Sequence, residues 1–205
     1  MDYISFKNTF FDKVCFSSHQ IHSRYPGFNN NNLTRWVKKD LLVKLRNGYY
    51  AFPEYLEEPA SQYYIANRNY RPSYISLHTA LSFYGFIPEA VVQVTSVTSL
   101  KTAEFRNRFG TFSYKSVQPS LMFGYDQKPF IKSITILMAQ PEKALLDLLY
   151  LYPFYNTNSE LKALRFDEDI MQELVNLERL NNYAEQIKSK ALSKRVKLMI
   201  ETYFL

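Results

Sequence analysis

Residues 41–53 read Leu-Leu-Val-Lys-Leu-Arg-Asn-Gly-Tyr-Tyr-Ala-Phe-Pro, and this stretch constrains the chain more tightly than any other. Asn-Gly between two runs of β-forming residues is the strongest short-range hairpin signal, because both turn positions need positive φ. Leu41–Arg46 is therefore expected as one strand and Tyr49–Phe52 as its return, with Pro53 stopping it.

The residues before the hairpin read as short helices. Tyr3, Phe6, Phe10 and Phe11 recur at helical spacing, Val14-Cys15-Phe16 is a brief strand, and Ser17-Ser18 offers an N-cap for a helix through Tyr25. Pro26-Gly27 breaks it, and a new helix starts near Asn30-Asn31-Asn32 and runs to about Lys39. Helix, strand, helix, turn, helix, hairpin is the element order of a winged helix-turn-helix. In the helix before the hairpin, Leu33, Trp36 and Val37 share one face, while Thr34, Arg35, Lys38 and Lys39 lie off it. A polar, donor-rich face opposite a buried one has the width and chemistry to enter a DNA major groove, and Arg and Asn make bidentate contacts to guanine and adenine. Asn31, Asn32, Thr34, Arg35, Lys38 and Lys39 are thus the candidate readers of bases, with Lys44, Arg46 and Asn47 as candidate phosphate contacts on the wing.

Charge supports a polyanionic partner. The 205-residue chain carries a net +6, distributed as eight Lys/Arg against four Asp/Glu in residues 1–55, eight against five in 56–140, and nine against ten in 141–205. The basic excess lies in the first two thirds.

Beyond Pro53, helical and β-like stretches alternate and then give way to helices. Pro59 is placed at a first helical position, and a helix with Leu77, Ala80, Leu81 and Tyr84 on one face is capped by Ser73 or Ser76 and ended by Gly85. Strands are expected at Val91–Thr98, Phe112–Val117 and Phe130–Leu137, paired as an antiparallel sheet. Pro141 opens a helix with Glu142 in its first turn and Ala144, Leu145, Leu148 and Leu149 buried. A further helix spans Asp169–Tyr183, and a last one carries Leu192, Val196, Met199, Ile200 and Tyr203, with Lys190, Lys194 and Lys197 on its opposite face. The expected class is α+β: a winged helix-turn-helix at 1–53, and a mixed α/β domain at 54–205 with an antiparallel sheet and C-terminal helices.

Other chemistries find little footing. His19 and His22 are three apart but no cysteine or carboxylate completes a four-ligand set, so no metal is expected. There is neither G-x-S-x-G nor a P-loop, and Glu142 and Asp147 project about 140° apart on one helix, so no catalytic residue and no cofactor is assigned. Asp147 reads as the partner of a nearby Arg, Lys or backbone group. Cys15 is the only cysteine, which fits a reducing cytoplasm and a buried structural thiol. The start MDYISFKNTF is no signal peptide, and apolar runs fall far short of the ~20 residues that span a bilayer, so no membrane role is expected.

Leu33–Lys39 is followed by Leu42–Tyr50, then by Pro72–Leu77 with Ala80-Leu81 and Tyr84–Pro88, then by Thr95–Thr98 and Ala139–Asp147, covering about residues 10–150. In this order and spacing the motifs together resemble those of AbiEi-type antitoxins of type IV abortive-infection toxin–antitoxin systems. The resemblance implies an N-terminal winged helix and a mixed α/β C-terminal domain. It implies repression of the protein's own operon through double-stranded promoter repeats, and neutralisation of a nucleotidyltransferase-like toxin that needs the C-terminal domain. Family DNA contacts would fall on Asn31–Lys39 and on the wing. Asp40 stands where members often carry glycine, the asparagine run is unusual, and the last fifty residues have no counterpart. The alternative is a stand-alone winged-helix regulator whose C-terminal domain dimerises or senses a ligand.

Overall fold

A computed structural model of the chain describes residues 1–58, 60–88, 91–129 and 134–205. The expected helix start at Pro59, and residues 130–133 of the expected Phe130–Leu137 strand, lie outside the described residues. The protein is α+β, with ten α-helices and two sheets among those residues.

The first segment holds α1 (Tyr3–Phe10), β1 (Cys15–Ser17), α2 (Ser18–Arg24), α3 (Asn31–Lys38), β2 (Val43–Arg46) and β3 (Tyr49–Ala51). Local chemistry explains each boundary. Asp2 caps α1 by accepting the Ser5 N–H, and Ser17 and Gln20 form a reciprocal capping box at the start of α2. The β2–β3 hairpin turns at Asn47-Gly48, with Gly48 at φ +75. All three strands are antiparallel in the order β1-β3-β2.

This small sheet buries side chains on both faces. Phe16 and Phe52 point into an aromatic core with Phe6, Phe10, Phe28, Leu33 and Trp36. Cys15, Val43, Leu45 and Ala51 point the other way and join the large core of the rest of the chain. Phe6 is the hub of the aromatic core: it is fully buried, with ring centroids of Trp36 at 4.7 Å, Phe10 at 4.9 Å and Phe16 at 5.5 Å.

The second segment holds α4 (Ser61–Asn69), β4 (Ser73–Ile75), α5 (Leu77–Phe83), β5 (Gln93–Thr98), β6 (Ala103–Asn107), β7 (Gly110–Ser116), β8 (Tyr125–Pro129) and β9 (Thr135–Ala139). The helices α6 (Pro141–Leu151), α7 (Asn158–Lys162), α8 (Glu168–Leu174), α9 (Leu177–Ile187) and α10 (Lys190–Tyr203) follow.

The six-stranded sheet runs β6-β7-β5-β4-β9-β8 and is mixed, which corrects the expected antiparallel arrangement. The β6–β7 and β8–β9 pairs are local antiparallel hairpins, but β5 pairs parallel with β7 and β4 parallel with β9. The tight turn after Asn107 folds β7 back between β6 and β5, so β7 and not β6 meets β5. Residues of β4 and nearly all of β5 are buried, as in strands covered on both faces. That burial erases the alternation by which strands are recognised, and Ser73, expected as a cap, lies within β4.

Two helical expectations also change. The expected helix at Asp169–Tyr183 is two helices, α8 and α9, broken at Val175-Asn176. There Asn176 caps α9 by accepting the Arg179 N–H, while its own N–H donates to Glu142 Oε1 at 2.7 Å. Glu142 thus stands in the first turn of α6, as expected, and also holds the start of α9. And α6 is buried nearly all round, from Glu142 to Leu149, not on one stripe. Its two central charges form a closed cluster: Lys143 Nζ donates to Asp147 Oδ1 and to the Tyr74 hydroxyl, while Tyr74 and Ser76 donate to Asp147 Oδ2 at 2.9 and 2.7 Å. Ser76 stands at the N-cap of α5, but its hydroxyl serves Asp147 and not the helix. No helix among the described residues is long and apolar enough to cross a membrane.

Candidate nucleic-acid interface

The helix α3 is held by its apolar side. Leu33 and Trp36 are 2% and 3% exposed, and Trp36 packs among Phe6, Phe28 and Tyr3. Its end is closed by backbone bonds from Leu41 and Leu42 to the Trp36 carbonyl, and Tyr3 donates its hydroxyl to Leu41 O at 2.9 Å. With that side fixed, Asn31, Thr34, Arg35, Lys38 and Lys39 all stand exposed on the other.

The asparagine run divides its labour. Asn29 accepts the Asn31 N–H at 2.9 Å, and Asn30 is joined to His22 of α2 at 3.0 Å, so these two build the turn between α2 and α3. Asn32 is half-buried and accepts from Arg35 Nη2 at 2.9 Å, which orients the guanidinium along the exposed face. Among these four, Asn31 has its side chain left outward.

The hairpin separates its predicted residues. Lys44 and Asn47 are exposed, Asn47 at the tip. The tip is tied to the start of α2, where Ser18 N–H donates to Gly48 O at 2.8 Å. A Cβ at Gly48 would sit 3.1 Å from the Ser18 hydroxyl. Arg46 does not join the exposed cations. A register shift between Lys44 and Arg46 turns it inward, where Nε donates to the Asn69 carbonyl and the guanidinium lies 4.0 Å over Tyr49 and 5.7 Å from Phe105.

The second segment reaches this surface as well. Asn107 Nδ2 donates to Leu45 O at 3.2 Å, and Arg108, in the β6–β7 turn, pairs with Asp40 at 2.9 Å just past α3. Asp40 has φ +55, the left-handed conformation that favours glycine. Sequence reading missed Arg108 at this surface; the one cue was the Asn-Arg-Phe-Gly turn that brings it there.

No family model matches this chain, and no curated protein does. Among solved structures it is similar to the RV2827C protein from Mycobacterium tuberculosis, with a TM-score of 0.52 over 92% of this chain and 72% of that one, at 13% identity. The likeness is one of fold.

The other groups considered from the sequence are scattered. Among the described residues no three of His, Cys, Asp and Glu come together as a metal site. Cys15 is buried, and burial pushes its thiol up to about 12. His78 is half-buried against the Tyr152 ring, 5.9 Å between centroids.

Proposed function

We propose that residues 1–53 are a winged helix-turn-helix domain that reads double-stranded DNA, and that the chain is a cytoplasmic, non-enzymatic antitoxin and autorepressor of a type IV toxin–antitoxin system. The observation that carries the DNA reading is α3 itself: one side locked by Leu33 and Trp36, the other presenting Asn31, Thr34, Arg35, Lys38 and Lys39. The strand order β1-β3-β2 around α2 and α3 is what a wing built on the first strand requires. Arg35, braced by Asn32, is the residue suited to a guanine edge, and Lys38 and Lys39 to phosphates on either side. Lys44 and Asn47 supply the wing contact, and Arg46 supports the hairpin from behind.

The antitoxin role rests on the motif resemblance over about residues 10–150, with residues 54–205 as the segment that meets a nucleotidyltransferase-like toxin. The runner-up is a stand-alone regulator, and the gene neighbourhood separates the two. The test of DNA reading is binding of the full chain to its own upstream DNA across a salt series. We expect the log–log affinity slope to show several phosphate contacts, and Arg35→Ala/Lys38→Ala to weaken binding by roughly 10²-fold or more. Binding that is absent at low salt, or indifferent to the double substitution, refutes the assignment.

A further inference from the structure

Behind the hairpin, on the side of the small sheet away from α3, a cavity of about 260 Å³ opens between β1, the start of α2 and the end of α4. Among the described residues its charged lining consists of Lys13, Arg68 and Arg71, with no carboxylate. None of these three makes an ion pair among the described residues. Arg71 is anchored by Nε to the Asn67 carbonyl at 3.2 Å, and Arg68 lies 4.9 Å over the Tyr64 ring, so both guanidiniums are held in place. The Arg71 guanidinium is pulled below its ordinary value, by burial first and by the Arg68 charge second. Arg71 is exposed and Arg68 half-buried, so water screens part of the repulsion between these neighbouring cations, and an anion beside both guanidiniums relieves the rest.

The remaining polar lining is also biased towards donors. In the Ser17–Gln20 capping box each side chain accepts the other's backbone N–H, which leaves the Ser17 hydroxyl proton and the Gln20 amide hydrogens to donate. We propose that this cavity is a phosphate-binding site, with Arg68 and Arg71 gripping the group and Lys13, Ser17 and Gln20 completing its shell. Paired guanidiniums suit phosphate because their planar forks donate two bonds at once. The site uses no residue of α3 and stands apart from the base-reading surface. The phosphate belongs either to a small phosphorylated molecule, for which the volume is ample, or to a DNA backbone flanking the bound site.

The experiment uses the full chain without DNA first. Melting is followed in inorganic phosphate and pyrophosphate against chloride of equal ionic strength, for wild type, Arg68→Gln/Arg71→Gln and Arg35→Ala/Lys38→Ala. At about ten times the Kd a rise of about 3–6 °C is expected in wild type and in the α3 variant, and none in the Arg68/Arg71 variant. A free ligand is the source if that rise occurs and the Arg68/Arg71 variant binds DNA normally. The DNA backbone is the source if the rise is absent but the variant loses DNA affinity evenly across sequences, with the salt slope smaller by about one or two. Neither effect, or an equal rise in the Arg68/Arg71 variant, overturns the proposal. The melting arm is independent of whether α3 reads DNA.

Discussion

Replacing Asp147 by alanine removes one side of a charge pair that has no access to water. Lys143 is 0% and Asp147 2% exposed, and the carboxylate accepts from three donors: the Lys143 ammonium, the Tyr74 hydroxyl and the Ser76 hydroxyl. Burial and the Asp147 carboxylate push the Tyr74 phenol well above its ordinary value, so it remains a donor in need of that acceptor. Stranding a buried ammonium costs about 3–5 kcal/mol, and two unsatisfied hydroxyls add to it less than additively. The expected loss is therefore about 4–6 kcal/mol, comparable with the total stability of many domains. Removing both charges in Lys143→Met/Asp147→Leu leaves only the hydroxyls unpaired and is expected to lose about 1–3 kcal/mol. Urea unfolding followed by far-ultraviolet circular dichroism measures all three proteins. If Asp147→Ala loses under about 1 kcal/mol, or the double variant loses as much as the single one, charge pairing does not hold the centre of this core.

Asp40, at φ +55, is expected to favour glycine: Asp40→Gly should exceed Asp40→Ala in stability by about 1 kcal/mol in urea midpoints, since both lose the exposed pair with Arg108 and differ in left-handed strain. Equal midpoints would count against the strain. Burial lowers the His78 imidazole below its ordinary 6.5, so the fold binds that proton less readily than the unfolded chain does; stability is full above that value and declines as pH falls through it. His78→Gln should flatten this part of the acid slope, and an unchanged slope would show that the proton is taken up elsewhere.

The small sheet explains why the hairpin was legible and the destiny of its residues was not. Asn47-Gly48, the Ser17–Gln20 capping box and the apolar side of α3 all declare themselves in neighbouring residues, and each lies where the sequence places it. Arg46 and Lys44 look alike as alternating cations on one strand, yet Lys44 faces solvent and Arg46 lies between Tyr49 and Phe105. The partner that decides between them is Asn69, 23 residues away, together with a register shift that no residue announces. The exposed side of α3 was legible, because helix amphipathicity is a local property, whereas the inward turn of Arg46 and the arrival of Arg108 were not. The cationic cavity was not, because Lys13, Arg68 and Arg71 meet only when α4 docks behind β1.

From the sequence alone came the α+β class, the order of elements through Phe52, the start of α6 at Pro141 and the apolar stripe of α10, all set by turn chemistry, capping and periodicity over a few residues. Only the tertiary structure decided that β5 and β7 run parallel, that α8 and α9 are separate, and that Lys143 and Asp147 lie sealed in the core. The reason is range. Backbone preferences act between neighbours, whereas strand partners, helix breaks pinned by Glu142 and the burial of a charge are settled by groups far apart in sequence. Their contacts exist only once the chain has closed upon itself.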